Sequence, residues 1–151
     1  MKKLLFLILL IAPFLRGQDA ARLEVQHTIE RFFEGFHQKD SLKLKATVDD
    51  GVTLQTIGTS TASGVQLRTE AFGTFLKSIC SIPDSVSFRE EIKDYDIRVD
   101  GPMAQAWTPY EFSLNGQFSH CGVNAFQLIE REGIWKIIYI IDTRRKEDCP
   151  W

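Results

Sequence analysis

Asp142 closes an unbroken apolar run, residues 137–141, and stands two positions before Arg144. A carboxylate at the end of a buried strand loses hydration, which raises its pKa and suits it to proton transfer; a nearby guanidinium pulls the other way. Asp142 is therefore the first candidate for a catalytic group, and a structural Asp–Arg pair is the plainer use of the same two residues. Tyr110, Thr108, Glu91 and Lys93 could orient a ligand by hydrogen bonds, or could be ordinary cross-strand pairs. A rival cluster holds Glu111, His120, Asn124 and Trp107. Its carboxylate and imidazole could do acid–base work if their face were the concave one, and surface packing is the alternative. Cys121 has no histidine on its own face to act as base, so thiol catalysis is not expected. The chain carries no GxGxxG, GxxxxGK[ST], CxxC or HExxH motif, so neither a cofactor nor a metal is expected.

Strands must position these groups. Asp100-Gly101, Asn115-Gly116 and Glu132-Gly133 punctuate the stretch 88–143, and the first two are dipeptides that two-residue hairpin turns favour. Four antiparallel strands are predicted. Tight turns then set Leu114 opposite Gln117, Trp107 opposite Asn124, Tyr110 opposite Cys121 and Glu111 opposite His120. The same rule sets Val123 opposite Asp142, Cys121 opposite Arg144, Glu91 opposite Tyr110, and Lys93 opposite Thr108. One face thus carries Ala104, Ala106, Thr108, Tyr110, Cys121, Val123, Ala125, Ile140, Asp142 and Arg144, apolar towards Gly101 and polar at the far end. That gradient predicts a pocket open at one end. The other face carries Trp107, Phe126, Leu128, Trp135, Ile137 and Tyr139, too aromatic for plain solvent, and predicts a homodimer interface around Trp107, Phe126 and Tyr139.

Helices occupy the first half. Val25, Ile29, Phe32, Phe33 and Phe36 form one apolar stripe of a helix over 20–37, which leaves His27 on the polar face and His37 at the end, both as solvent histidines. Asp40 caps a short helix over 41–47, a short strand covers 52–57, and the Ser/Thr/Gly-rich piece 58–64 reads as a loop. Thr69 caps a third helix with Phe72, Phe75, Leu76 and Ile79 on one side. Helices followed by an antiparallel sheet give an α+β fold, with the helices covering one sheet face.

The 151 residues, 44% hydrophobic and 25% charged, suit one domain over 18–151, and a formal charge of -2 gives no basic patch for nucleic acid or an anionic membrane. Residues 1–17 have the layout of a signal peptide: Lys2 and Lys3, an apolar run, then Gly17. Cleavage before Gln18 would leave a secreted or periplasmic protein without a membrane segment. Export permits disulfides, and of the three cysteines Cys121 and Cys149 are the favoured pair, with Cys80 as a small apolar filler.

The segment Phe32-Phe33-Glu34-Gly35-Phe36 with Lys39-Asp40, the strand after Asp49-Asp50-Gly51, and the closing Gly133-Ile134-Trp135-Lys136-Ile137 resemble the nuclear transport factor 2-like superfamily, which includes SnoaL-like proteins and ketosteroid isomerase. The resemblance implies a cone: a strongly curved antiparallel sheet wrapped around three helices, with a cavity inside and frequently a homodimer. It brings Phe32, Phe36 and Thr56 to the pocket wall. The isomerase branch uses a tyrosine, a carboxylate base and a protonated acid. The corresponding positions here are Phe32, Thr56 and Ala125, so isomerisation by that route is not expected. Three functions remain: binding of a small, partly apolar molecule; SnoaL-like proton transfer; and a dimeric interaction module whose cone is filled by Phe32, Phe36 and Phe72.

Overall fold

A computed structural model describes residues 12–60 and 64–149, with side chains from Gly17 onward. Most of the expected leader lies outside the described residues. The first helix, α1, runs Ala12–His37, and α2 runs Ser41–Thr47. Strand β1 (Val48–Ser60) and strand β2 (Gly64–Ala71) precede α3 (Phe72–Cys80). Five strands complete the chain: β3 (Phe88–Ile92), β4 (Asp96–Asp100), β5 (Met103–Leu114), β6 (Gln117–Arg131) and β7 (Ile134–Thr143). They form one mixed, curved sheet in the order β2-β1-β7-β6-β5-β3, with β4 pairing the same strand, β5, as β3. Only β1 and β7, among the described pairs, run parallel. The fold is α+β, as expected, with three helices against the sheet.

The α1 stripe packs as its spacing requires: Val25 and Ile29 are wholly buried and Phe32 and Phe33 nearly so. Asp40 caps α2 by accepting from the N–H groups of Leu42 and Lys43. Of the α2 residues, Leu44 faces the core, whereas Leu42 is exposed. His37 is not a solvent histidine. It is half-buried, stacks on Phe33 at 6.1 Å, and its Nε2 accepts the Glu90 N–H at 2.9 Å.

The segment 58–71 differs from expectation. Strand β1 is longer than predicted and pairs with β2 from Thr53↔Ala71 to Ser60↔Gly64, and α3 starts after Ala71 with no side-chain cap. Every residue of β2 is exposed, so no buried alternation marked it in the sequence.

The turns form, but two bulges shift the register. Asn115-Gly116 and Glu132-Gly133 take positive φ at both residues, as two-residue hairpin turns demand. Leu114 meets Gln117 as predicted, yet Ser113 pairs with Phe118 and Phe112 with His120, leaving Ser119 as an extra residue. Beyond that bulge Tyr110 meets Gly122, Glu111 meets Cys121 and Trp107 meets Ala125, one residue from the expected pairing. On β7 the extra residue is Ile138, and Asn124 rather than Val123 meets Asp142. At the first turn Asp100 pairs with Met103, so Gly101-Pro102 is the loop.

A one-residue slip turns a strand over. Asn124, Phe126 and Leu128 of β6 consequently face the helices, as do Trp135 and Ile137 of β7, and all five are buried. Phe126, 1% exposed, is core and cannot belong to an outer interface. The outer face keeps Trp107, 56% exposed, and Tyr139, whose hydroxyl bonds Gln55.

Candidate functional site

Register lays a polar row across five strands. Arg68 of β2 pairs with Thr56 of β1, Thr56 with Asp142 of β7, Asp142 with Asn124 of β6, and Asn124 with Thr108 of β5. One pleat further in, Leu54, Ile140, Phe126 and Ala106 form an apolar row on the same strands. Side chains two residues apart share a face, so polar and apolar rows together line the inside of the sheet. Phe32, Phe33 and Phe36 of α1 and Phe75 of α3 close the opposite side. Phe75 stacks parallel to Phe32 at 6.3 Å and to Phe36 at 6.0 Å. Between helices and sheet lies a cavity of about 400 Å³, lined by these phenylalanines, the apolar row, and Thr56, Glu90, Asn124, Asp142 and Arg144 at its polar end. The cone is lined by Phe32 and Phe36, not filled by them.

Three donors converge on Asp142. Thr56 Oγ1 donates to Oδ1 at 2.5 Å, Arg144 Nε to Oδ2 at 2.7 Å, and the Tyr110 hydroxyl reaches Oδ2 at 3.3 Å. The same hydroxyl lies 3.0 Å from the Thr143 carbonyl. Tyr110 is 1% exposed, so it supports Asp142 from behind the wall. Burial, then the Asp142 and Glu90 charges, pushes its pKa up and keeps it a donor. Gly122 makes this approach possible: a Cβ there would lie 1.8 Å from the Thr143 oxygen and 3.0 Å from the Tyr110 ring. Burial lowers the Arg144 pKa but the Asp142 hydrogen bond and charge outweigh it, and the net shift is upward.

Glu90, absent from the expected site residues, joins Asp142 and Glu70 on the cavity wall. Its Oε1 accepts from Asn124 Nδ2 at 2.7 Å, and its backbone N–H is held by His37. Burial pushes its pKa up to about 7; the Asn124 bond opposes this, Asp142 adds to it, and Arg144 opposes it. Asp142 is thus tied to a guanidinium, whereas Glu90 is tied to an amide. A buried carboxyl whose pKa is raised towards neutrality has the chemistry of a general acid or base.

The other expected residues divide. Arg144, Phe32, Phe36 and Thr56 line the cavity with Asp142. Thr108 is fully buried behind the wall, its hydroxyl 3.4 Å from the Asn124 carbonyl. Glu91 and Lys93 are not pocket residues: they sit on the outer side, where Lys93 pairs with Glu91 at 3.2 Å and with Glu111 at 3.6 Å. The parity of β3, fixed by Glu91↔Glu111 and Glu90↔Phe112, sends Glu90 inward instead. Cys121 is buried in a disulfide with Cys149, the favoured pairing, and offers no thiol to the cavity. Cys80 is exposed, not a core filler, and its Sγ donates to the Lys39 carbonyl. The rival cluster does not assemble. Glu111 and Trp107 point outward, Asn124 points into the cavity, and His120 packs beside Tyr110 and on Phe112 at 4.7 Å. Ala125, the expected acid position, faces outward opposite Trp107. No group of three or more metal-ligating side chains occurs among the described residues, and no described helix is long and apolar enough to cross a membrane.

No family profile and no curated protein sequence matches this chain. Solved structures do. A protein of unknown function from Mycobacterium tuberculosis superposes with a TM-score of 0.70 at 14% identity, over 89% of this chain and 77% of that one. A nuclear transport factor 2-like protein from Cytophaga hutchinsonii gives 0.66 at 16% identity, over 82% and 98%. A candidate dehydratase of the nuclear transport factor 2-like family from Streptomyces avermitilis gives 0.65 at 14% identity, over 85% and 99%.

Proposed function

We propose that this chain, whose fold is the nuclear transport factor 2-like cone, binds a small, partly apolar molecule inside the cone. The observation that carries the reading is the cavity of about 400 Å³, with stacked phenylalanines on one side and Glu90, Asn124, Asp142 and Arg144 gathered at one end. Ligand pockets of this kind combine apolar walls with a few convergent polar groups, and about 300–1,000 Å³ is their usual size. Calorimetric titration with decanol tests it. Saturable binding of one molecule per chain, lost in the cavity-filling Ile140→Trp variant, is expected; no heat of binding would refute it.

A second reading, proton transfer on the bound molecule, is favoured by Glu90 alone. Its pKa near 7 suits a general acid or base at neutral pH. Incorporation of solvent deuterium into methyl octyl ketone, followed by NMR, should be catalysed by the native protein and lost in Glu90→Gln. Equal exchange by both proteins would remove Glu90 from that role.

An extracytoplasmic location belongs to the proposal and is supported by the Cys121–Cys149 disulfide. So does a homodimer through the outer sheet face around the exposed Trp107. Sedimentation showing only monomer would count against it.

A further inference from the structure

A smaller cavity of about 160 Å³ adjoins the main one and shares Thr56, Arg68 and Arg144 with it. Thr59, Ser60 and Gln66 complete its polar lining. Its composition is one-sided: two guanidinium groups, three hydroxyls and an amide line it, and no described carboxylate does. Among the described residues Arg68 makes no ion pair, although its strand neighbour Thr56 is bonded to Asp142. Arg144 is already held by Asp142 from the far side, and its Nη2 lies 3.5 Å from Thr56 Oγ1. Arg68, the cross-strand partner of Thr56, and Arg144 thus line the side cavity together with that hydroxyl.

We propose that this side cavity is an anion subsite, and that the ligand of the cone is an amphipathic monocarboxylate whose apolar body lies among the phenylalanines while its carboxylate sits between Arg68 and Arg144. The proposal rests on the binding function above and narrows it to a chemical class. Guanidinium groups present planar, paired N–H donors that match a carboxylate. Local pairing, not the total charge of the cavity, favours a ligand with a single negative charge: Arg144 is paired with Asp142, and Arg68 is in no ion pair among the described residues. Glu70 and Glu90 line the main cavity, where they repel a second negative charge on the ligand. A dianionic phosphate would meet too little uncompensated positive charge there.

Binding of decanoate, decanol and decyl phosphate is compared by calorimetry at pH 8 and low salt, in the native protein and in Arg68→Gln. Arg68 is exposed, and circular dichroism checks that the variant folds. Decanoate should bind at least about tenfold more tightly than decanol, a difference of about 1.4 kcal/mol. That ratio should fall towards one in Arg68→Gln, and in the native protein at high salt, which screens exposed charges. Equal affinity for decanoate and decanol would overturn the subsite while leaving the binding function intact. A ratio unchanged by Arg68→Gln would overturn it as well. Tighter binding of decyl phosphate than of decanoate would overturn the carboxylate assignment, and binding of none of the three would remove both the subsite and the function it rests on.

Discussion

Asn124 donates its side-chain amide to Glu90 Oε1 at 2.7 Å, tying β6 to β3 across the intervening strand. The bond spans two side chains that the simple hairpin register sends to the outside or overlooks. It gives the cavity a carboxyl that is neither free in solvent nor locked in an ion pair.

Glu90 makes stability depend on pH. Its folded pKa of about 7 lies above the ordinary 4.5, so between those values the folded state binds more protons than the unfolded one. Stability falls as pH rises through that window, and the full cost, up to about 3 kcal/mol, is reached above pH 7. Glu90→Gln should flatten this slope and be the more stable protein at pH 8. Urea denaturation at pH 5 and pH 8 measures it; parallel slopes for both proteins would show that Glu90 titrates normally.

Asn124→Leu removes a hydrogen bond that lowers the Glu90 pKa. The carboxyl resonance of Glu90 should then titrate at higher pH than in the native protein, by carbon NMR. A shift downward would mean that Asn124 does not stabilise the ionised form.

Gly122→Ala drives a methyl group into the Thr143 carbonyl. We expect a loss of at least about 2 kcal/mol and displacement of Tyr110 from Asp142, read by urea denaturation and by the tyrosine spectrum. A variant as stable as the native protein would mean that β6 and β7 separate more readily than the structure shows.

The Cys121–Cys149 bond closes a sequence separation of 28 residues. Cys149→Ser should cost about 3–4 kcal/mol if the main effect is on the entropy of the unfolded chain. A digest without reduction should yield the linked Cys121 and Cys149 peptides and a single free thiol from Cys80. Three free thiols would contradict the pairing.

Much local chemistry was legible, although Thr69, expected to cap α3, lies in β2. The Asp40 cap, the α1 stripe and the positive-φ turns follow from neighbouring residue types, and the cysteine pair from the final strand running beside Cys121. Parity across the sheet was not legible. The bulge at Ser119 turned β6 over, so Val123 and Ala125 were expected inside where Asn124 and Phe126 stand. On β3 the same one-residue error chose Glu91 over Glu90. Bulges leave no strong mark in the sequence, because a polar residue such as Ser119 fits either side of an exposed hairpin end. Strand β2 escaped notice since it buries nothing. The polar row therefore lost its Arg68 end, while Thr56 entered through the fold resemblance alone.

The most direct test of the central claim is a crystal structure of the protein with decanol. Electron density for the alcohol running along Phe32, Phe36 and Phe75, with its hydroxyl within hydrogen-bond distance of Glu90 or Asn124, is the predicted result. A cone closed by the phenylalanine side chains, with the alcohol found only on the outer surface, would contradict it.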